Sequence, residues 1–245
     1  MKKFFLVLAF AFFAPAVSHA FPGADVDISV GYELPKPSGS ITLKDPLGNQ
    51  KTFDAVNDLN LGSGKDFIAR IDINHSVPIL PNIYVHHLPV EVSGDAAGGH
   101  AELKLEQNDV GLYYNLPFIK EATDDALGLK LGVNARIVNL SGETKGGALG
   151  ETSANFSTVI PMAYLGVDIK PIHLVSVSAE IKTLPLGSSS LTEYAAELRV
   201  HPTHMFYLGA GYFNYAVKID PSLATGAPPT NFTLAGPYFV LGLEL

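Results

Sequence analysis

Cysteine is absent from this chain of 245 residues, which excludes a disulfide scaffold and any thiolate metal site. Tryptophan is absent too, and positive charge is scarce: 16 Lys and Arg stand against 24 Asp and Glu, a net charge of −8. An acidic chain of this kind is a poor partner for nucleic acid. Beyond residue 20 no continuous apolar run reaches the roughly 20 residues that a membrane-spanning helix needs. If the chain crosses a membrane, strands must do it.

What is present begins with an export signal. Met1-Lys2-Lys3 is a short basic region, Phe4 to Phe13 an apolar run, and Ser18-His19-Ala20 a small-x-small cleavage site. Together they read as a signal peptide over residues 1–20, cut after Ala20. Loss of Lys2 and Lys3 lowers the basic count from 16 to 14 and brings the net charge to about −10. Residues 21–245 then form a single domain.

The segment Gly236 to Leu245 sets the pattern for that domain. Phe239, Leu241, Leu243 and Leu245 make one apolar face, and Tyr238, Val240, Gly242 and Glu244 a mixed one, as in a strand with two unlike environments. The same alternation recurs through the chain. Val26, Ile28, Val30, Tyr32 and Leu34 oppose Asp25, Asp27, Ser29, Gly31 and Glu33, and Leu127, Leu129, Leu131, Val133, Ala135 and Ile137 oppose Gly128, Lys130, Gly132, Asn134 and Arg136. Comparable segments start at Phe67, Tyr84, Asp109, Val159, Val175 and Thr192, whereas Met205 to Ile219 is apolar and aromatic on both faces and its parity stays open. Leu103 and Leu105 sit out of phase with Val110, Leu112 and Tyr114, which implies a bulge or a strand extension near Gln107. Pro89 points to a bulge or a locally unpaired site.

Connections alternate in character. Residues 35–66, 93–100, 142–155, 187–190 and 220–231 are long or rich in Gly, Ser and Pro, with a small hairpin near Ile41 in the first, and most of the others are tight turns. The fold expected is all-β: a transmembrane antiparallel up-and-down β-barrel of about ten strands (eight being the alternative), with short periplasmic turns and longer extracellular loops. A soluble sandwich or lipocalin-like barrel is the competing architecture.

In such a barrel the apolar face meets lipid and the charged face meets the lumen. The lumen-lining candidates are Arg70, Asp72, Lys130, Arg136, Asp168, Glu180, Glu197 and Arg199, with Asp25, Asp27, Lys170, Lys182 and Glu193 on the same faces. Mixed signs favour a salt-bridged filling, and the sharper alternative is a narrow pore with a charged constriction. Tyr32, Phe67, Tyr84, Tyr114, Tyr194, Tyr207 and Phe239 are candidates for interfacial girdles. No catalytic, metal or cofactor residue is assigned. His75-Ser76 has no evident acid, Asp25-Val26-Asp27 lies at the wrong end for a rim protease, the adjacent His86 and His87 point to opposite faces, and His201 and His204 lack further ligands.

The Pro78-Ile79-Leu80-Pro81-Asn82 turn, the Ile160-Pro161-Met162-Ala163-Tyr164 stretch, and Gly236-Pro237-Tyr238 leading into a terminal Leu-Gly-Leu strand resemble a family of small Gram-negative outer-membrane β-barrel proteins named for a Gly-Gly feature. The resemblance spans residues 21–245 and implies an outer-membrane location without an assigned reaction. It also implies outer-membrane lipid as solvent and recognition of the C-terminal strand by the barrel assembly machinery. Such chains usually end in Phe, whereas this one ends in Leu245, from which less efficient insertion, or reading by a somewhat different machinery, is expected. The functional expectation is a structural or narrow-pore barrel. The alternatives are an outer-membrane enzyme on lipid or peptide, which would need a Ser/His/acid or Asp/His cluster at the outward rim, and a scaffold that binds a surface partner through residues 35–66.

Overall fold

The computed structural model describes residues 23–77, 79–96, 98–124, 126–186, 189–219 and 230–245; the expected signal peptide lies outside the described residues. The first strand, β1 (Ala24–Glu33), is followed by a hairpin of β2 (Lys36–Lys44) and β3 (Gln50–Asp54). Then come β4 (Asp66–His75), β5 (Asn82–Ala96), β6 (Gly99–Asn115), a six-residue helix α1 (Pro117–Ala122), β7 (Leu127–Lys145), β8 (Thr152–Ile172), β9 (Val175–Leu186), β10 (Ser189–Val200), β11 (Phe206–Ile219) and β12 (Thr230–Glu244). β1 and β4 to β12 pair in chain order, all antiparallel, and β1 pairs back onto β12 from Asp27↔Glu244 to Glu33↔Tyr238. This is the closed ten-stranded barrel that the alternation predicts.

Three strands are much longer than a membrane crossing requires. β6, β7 and β8 contain 17, 19 and 21 residues, against about 9–11 for a tilted transmembrane strand. Along β7 the outward positions are apolar from Leu127 to Ile137 and then become Asn139, Ser141, Glu143 and Lys145. The inward positions do the reverse: Lys130, Asn134 and Arg136 give way to Val138 and Leu140. β6 repeats the exchange, with Tyr114, Leu112 and Val110 outward below Glu106, Lys104 and Glu102, and with Asp109 and Gln107 inward below Leu105 and Leu103. The register of β6 with both neighbours runs on without a shift. So the parity break at Gln107 is a strand extension, not a bulge: the chain keeps its pleat while its apolar face changes from the outside of the barrel to the inside.

This exchange corrects the reading of residues 93–100 and 142–155 as loops. Both are largely β-ribbon, with only short connections between β5 and β6 and between β7 and β8. The inward residues of the strands that run into these ribbons, Val90 and Val92 on β5, Ala101, Leu103 and Leu105 on β6 and Val138 on β7, join one core with Ile41, Leu43, Ala55, Leu59 and Leu61 from residues 35–66. That segment is therefore no free loop. β2 continues β1 along β12 in an unbroken register, Glu33↔Tyr238 leading to Lys36↔Ala235, with Leu34 N–H donating to Pro237 O at 3.0 Å between them. The return stretch is tied to β5 where β4 is missing, since β4 and β5 pair only from Ala69↔His87 to Ile73↔Ile83. There Gly62 N–H donates to Ser93 O at 3.0 Å, and Pro89, lacking an N–H, costs no ladder bond on that side. Burial of each large aliphatic side chain in this cap contributes about 1.5–3 kcal/mol.

Candidate functional site

Beneath the apolar cap the lumen is filled by charges, and the structure places all eight lumen candidates inside the barrel. Arg70 donates through Nε to Asp72 at 2.6 Å and through Nη1 to Glu180 at 2.8 Å. Glu180 also accepts from Tyr164 Oη at 3.3 Å and lies 3.1 Å from Lys182 Nζ. Lys182 connects this group to the most buried one: its ammonium is 3.0 Å from both Asp109 and Glu193. Arg136 clamps Asp109 with two bonds of 2.7 Å, bonds Gln107 at 2.9 Å and pairs with Glu193. The side chains of Arg136, Asp109 and Lys182 have no solvent exposure at all. Nearer the short-turn end, Arg199 holds Glu197 and Asp27, Tyr207 Oη donates to Asp27 at 2.8 Å, and Lys130 pairs with Asp168 at 2.7 Å.

Tyrosines complete the filling. Tyr84, Tyr113 and Tyr164 cluster with ring centroids 5.2–6.1 Å apart, and the Arg70, Arg136 and Arg199 guanidiniums lie over Tyr84, Tyr215 and Tyr207 at 4.6, 5.0 and 4.4 Å. By sequence Tyr84 and Tyr207 are girdle candidates. They are fully buried instead, because each faces a glycine on the next strand, Tyr84 opposite Gly111 and Tyr207 opposite Gly242. A Cβ at either glycine would lie 2.0 Å from the ring. Tyr32, Phe67, Tyr114, Tyr194 and Phe239 do face outward, Tyr32 and Phe67 packing edge to face at 5.9 Å. What remains of the lumen is a cavity of about 100 Å³ that reaches from Asn74, Lys130 and Asp168 up to Leu88 and Phe213 under the cap.

The lumen contains three groups that the sequence reading did not single out. Asp109 was obscured by the parity break at Gln107. Glu33, 2 % exposed, lines the cavity, leaves Oε1 without a hydrogen-bond partner and forms no ion pair among the described residues. At the short-turn mouth Ser176 Oγ lies 3.0 Å from His201 Nε2, and His201 Nδ1 lies 3.8 Å from Glu244 Oε2. His75, by contrast, bonds the Pro81 carbonyl through Nε2 at 3.0 Å, and His87 turns outward to Asn108 at 2.8 Å while His86 lines the cavity. Among the described residues no group of three His, Asp or Glu is spaced to hold a metal ion.

No family model and no curated protein matches the chain. Solved structures that resemble it include the translocator domain of the autotransporter NalP from Neisseria meningitidis, with 13% identity, 99% of this chain and 95% of that one covered, and a TM-score of 0.43. The attachment invasion locus protein Ail of Yersinia pestis (9%, 91% and 99%, 0.39) and the outer membrane protein OprG of Pseudomonas aeruginosa (10%, 92% and 97%, 0.39) are also similar. These likenesses are coarse; strand number, closure and register come from the chain's own pairing.

Proposed function

We propose that this chain is an integral protein of the bacterial outer membrane, exported by its N-terminal signal and held as a closed, charge-filled barrel that does not conduct. The observation that carries the reading is the exchange of apolarity between the two faces of β6 and β7. A soluble barrel hides its apolar face, whereas here the lower outward face bears Leu131, Val133, Val110 and Leu112 in the open while Arg136 and Lys182 are buried. That distribution suits hydrocarbon outside and a hydrogen-bonded ionic filling inside. Ions would have to displace the paired network and then the apolar cap, so a structural role is favoured over a narrow pore. Most apolar side chains of residues 35–66 serve the cap, which leaves the tip around Leu47, 87 % exposed, as the part of that segment free to meet a surface partner.

The test is planar-bilayer recording of refolded protein, with heat-modifiable gel mobility as the folding control. Folded protein is expected to be silent. Stable, ion-selective openings would overturn the filled-barrel reading and direct mutagenesis to Arg70, Arg136 and Arg199.

A further inference from the structure

The charge network accounts for most polar groups in the lumen, but it leaves out the Ser176, His201 and Glu244 group at the short-turn mouth. These residues come from the start of β9, the residue after β10 and the end of β12, and their side chains share the lumen side. Ser176 Oγ meets Nε2 of the imidazole at 3.0 Å, and a carboxylate stands by Nδ1. That is the order of parts in an activated hydroxyl nucleophile: the base on the serine side and the acid on the far nitrogen, where it sets the tautomer and steadies the imidazolium. The 3.8 Å separation of His201 and Glu244 is an ion-pair distance longer than a hydrogen bond, of the sort that closes when substrate is bound.

Two neighbours add to the arrangement. Arg199 is the cross-strand partner of Ser176, so their Cβ atoms lie about 4.5–5.5 Å apart on the same side of the sheet. Its Nε and Nη1 are taken by Glu197 and Asp27, and Nη2 has no protein partner among the described residues. A guanidinium so placed is suited to meet negative charge growing on a carbonyl oxygen beside Ser176. The Tyr207 ring packs against the imidazole with centroids 5.5 Å apart and limits its rotation. The Glu244 side chain is 34% exposed and that of His201 is 11% exposed, whereas Ser176 is at 6%, so approach is from the short-turn side through a narrow opening.

We propose that Ser176, His201 and Glu244 form a hydrolytic site for small carboxylic esters with short, unbranched acyl chains. Ser176 Oγ bonds to the acyl carbon while its proton passes to His201 Nε2. The imidazolium returns that proton to the alkoxide oxygen as the carbon–oxygen bond breaks, and the alcohol leaves. Water then repeats the path, with His201 taking its proton and giving it to Ser176 Oγ, so that the carboxylic acid leaves and the serine is restored. Glu244 is a positioning residue, and Arg199 the oxyanion partner. The site requires the barrel to fold but not the lumen to conduct or stay closed, so its fate is independent of the recordings above.

The experiment is labelling of the full chain, refolded in detergent, with a fluorophosphonate probe, followed by peptide mass analysis. A phosphonyl adduct on Ser176 is expected in folded protein, absent after boiling and absent in Ser176→Ala. Labelling should slow by at least about 100-fold in His201→Ala, the usual range for removal of a general base, and fall less in Glu244→Gln. Hydrolysis of p-nitrophenyl acetate should exceed that of the branched pivalate. Should His201→Ala fail to show folded mobility, His201→Gln replaces it. A folded wild-type barrel with no adduct on Ser176, or an adduct whose rate ignores loss of the imidazole, would overturn the proposal.

Discussion

Replacing Asp109 by alanine should be among the most damaging single changes in the barrel. Its carboxylate accepts two bonds of 2.7 Å from Arg136 and lies 3.0 Å from the Lys182 ammonium, and the three side chains are wholly buried. Three charge-assisted contacts at about 1.5–3 kcal/mol each set an upper bound of about 5–9 kcal/mol. The loss is smaller because neither cation is stranded: Arg136 keeps Glu193 and Gln107, and Lys182 keeps Glu193 and Glu180. About 3–5 kcal/mol is therefore expected, below that bound and at the upper end of single-residue effects, for the lost bonds of a buried charged group. Asp109→Asn, which keeps the volume and one acceptor oxygen, should lose about half as much. Combining Asp109→Ala with Lys182→Met should cost less than the sum of the two single changes, because the two residues share one contact. Urea titration in lipid vesicles would measure it, followed by far-ultraviolet circular dichroism and gel mobility, because the chain has no tryptophan to report. An unfolding free energy for Asp109→Ala within about 1 kcal/mol of wild type would refute the view that this network holds the lower barrel together.

Glu33 should behave in the opposite way. Among the described residues it has no base to pair with and an oxygen without a partner, so Glu33→Gln should leave stability unchanged or raise it in the same titration, and a loss like that of Asp109→Asn would overturn this reading. Position along β7 should decide the cost of a charge on the outer wall. Val133→Arg, within the apolar band, should cost about 2–4 kcal/mol, whereas Ser141→Arg, on the same face above it, should cost about 0–1 kcal/mol; equal effects would argue against a bilayer at that height. In the β2–β3 turn, bonds from Asn49 hold the Asp45 carboxyl below the usual carboxylate range, with the Leu47 and Asn49 amides also donating to it at 2.9 and 2.8 Å. A depressed folded value means that the turn's extra stability is present above the ordinary aspartate range and is lost as pH falls through the lower value. Amide resonances of Leu47 and Asn49 should thus titrate together at a pH below that of an ordinary aspartate.

Much of the wall was legible because a pleat has period two, and a segment such as Leu127 to Ile137 shows its two faces without help from neighbours. The upper half was not, because there the apolar face turns inward. Leu103 and Val138 lie in the same strands as Val110 and Ile137 but on the other face, and a rule that equates apolar with outward reads the change as a loop or a bulge. β11 defeated the rule differently: Phe206, Leu208 and Tyr212 face out while Tyr207, Phe213 and Tyr215 face in, so hydropathy cannot choose between them. Tyr84 and Tyr207 were misread for want of a signal about their cross-strand partners, since only the register shows Gly111 and Gly242 beneath their rings. Ser176, His201 and Glu244 come from three separate strand ends, and no spacing in the sequence announces their meeting.

The unbroken ladder of β1 and β2 along β12 bears on the order of folding. The seam joins Asp27 to Glu244 at one end and Ser40 to Asn231 at the other, contacts so distant in sequence that their loop-closure cost falls late. One zipper carries both the last wall contact and the segment that caps the lumen, so sealing the wall and capping the lumen are a single event. A cylinder with its wall sealed and its upper end still uncapped has no place on that route.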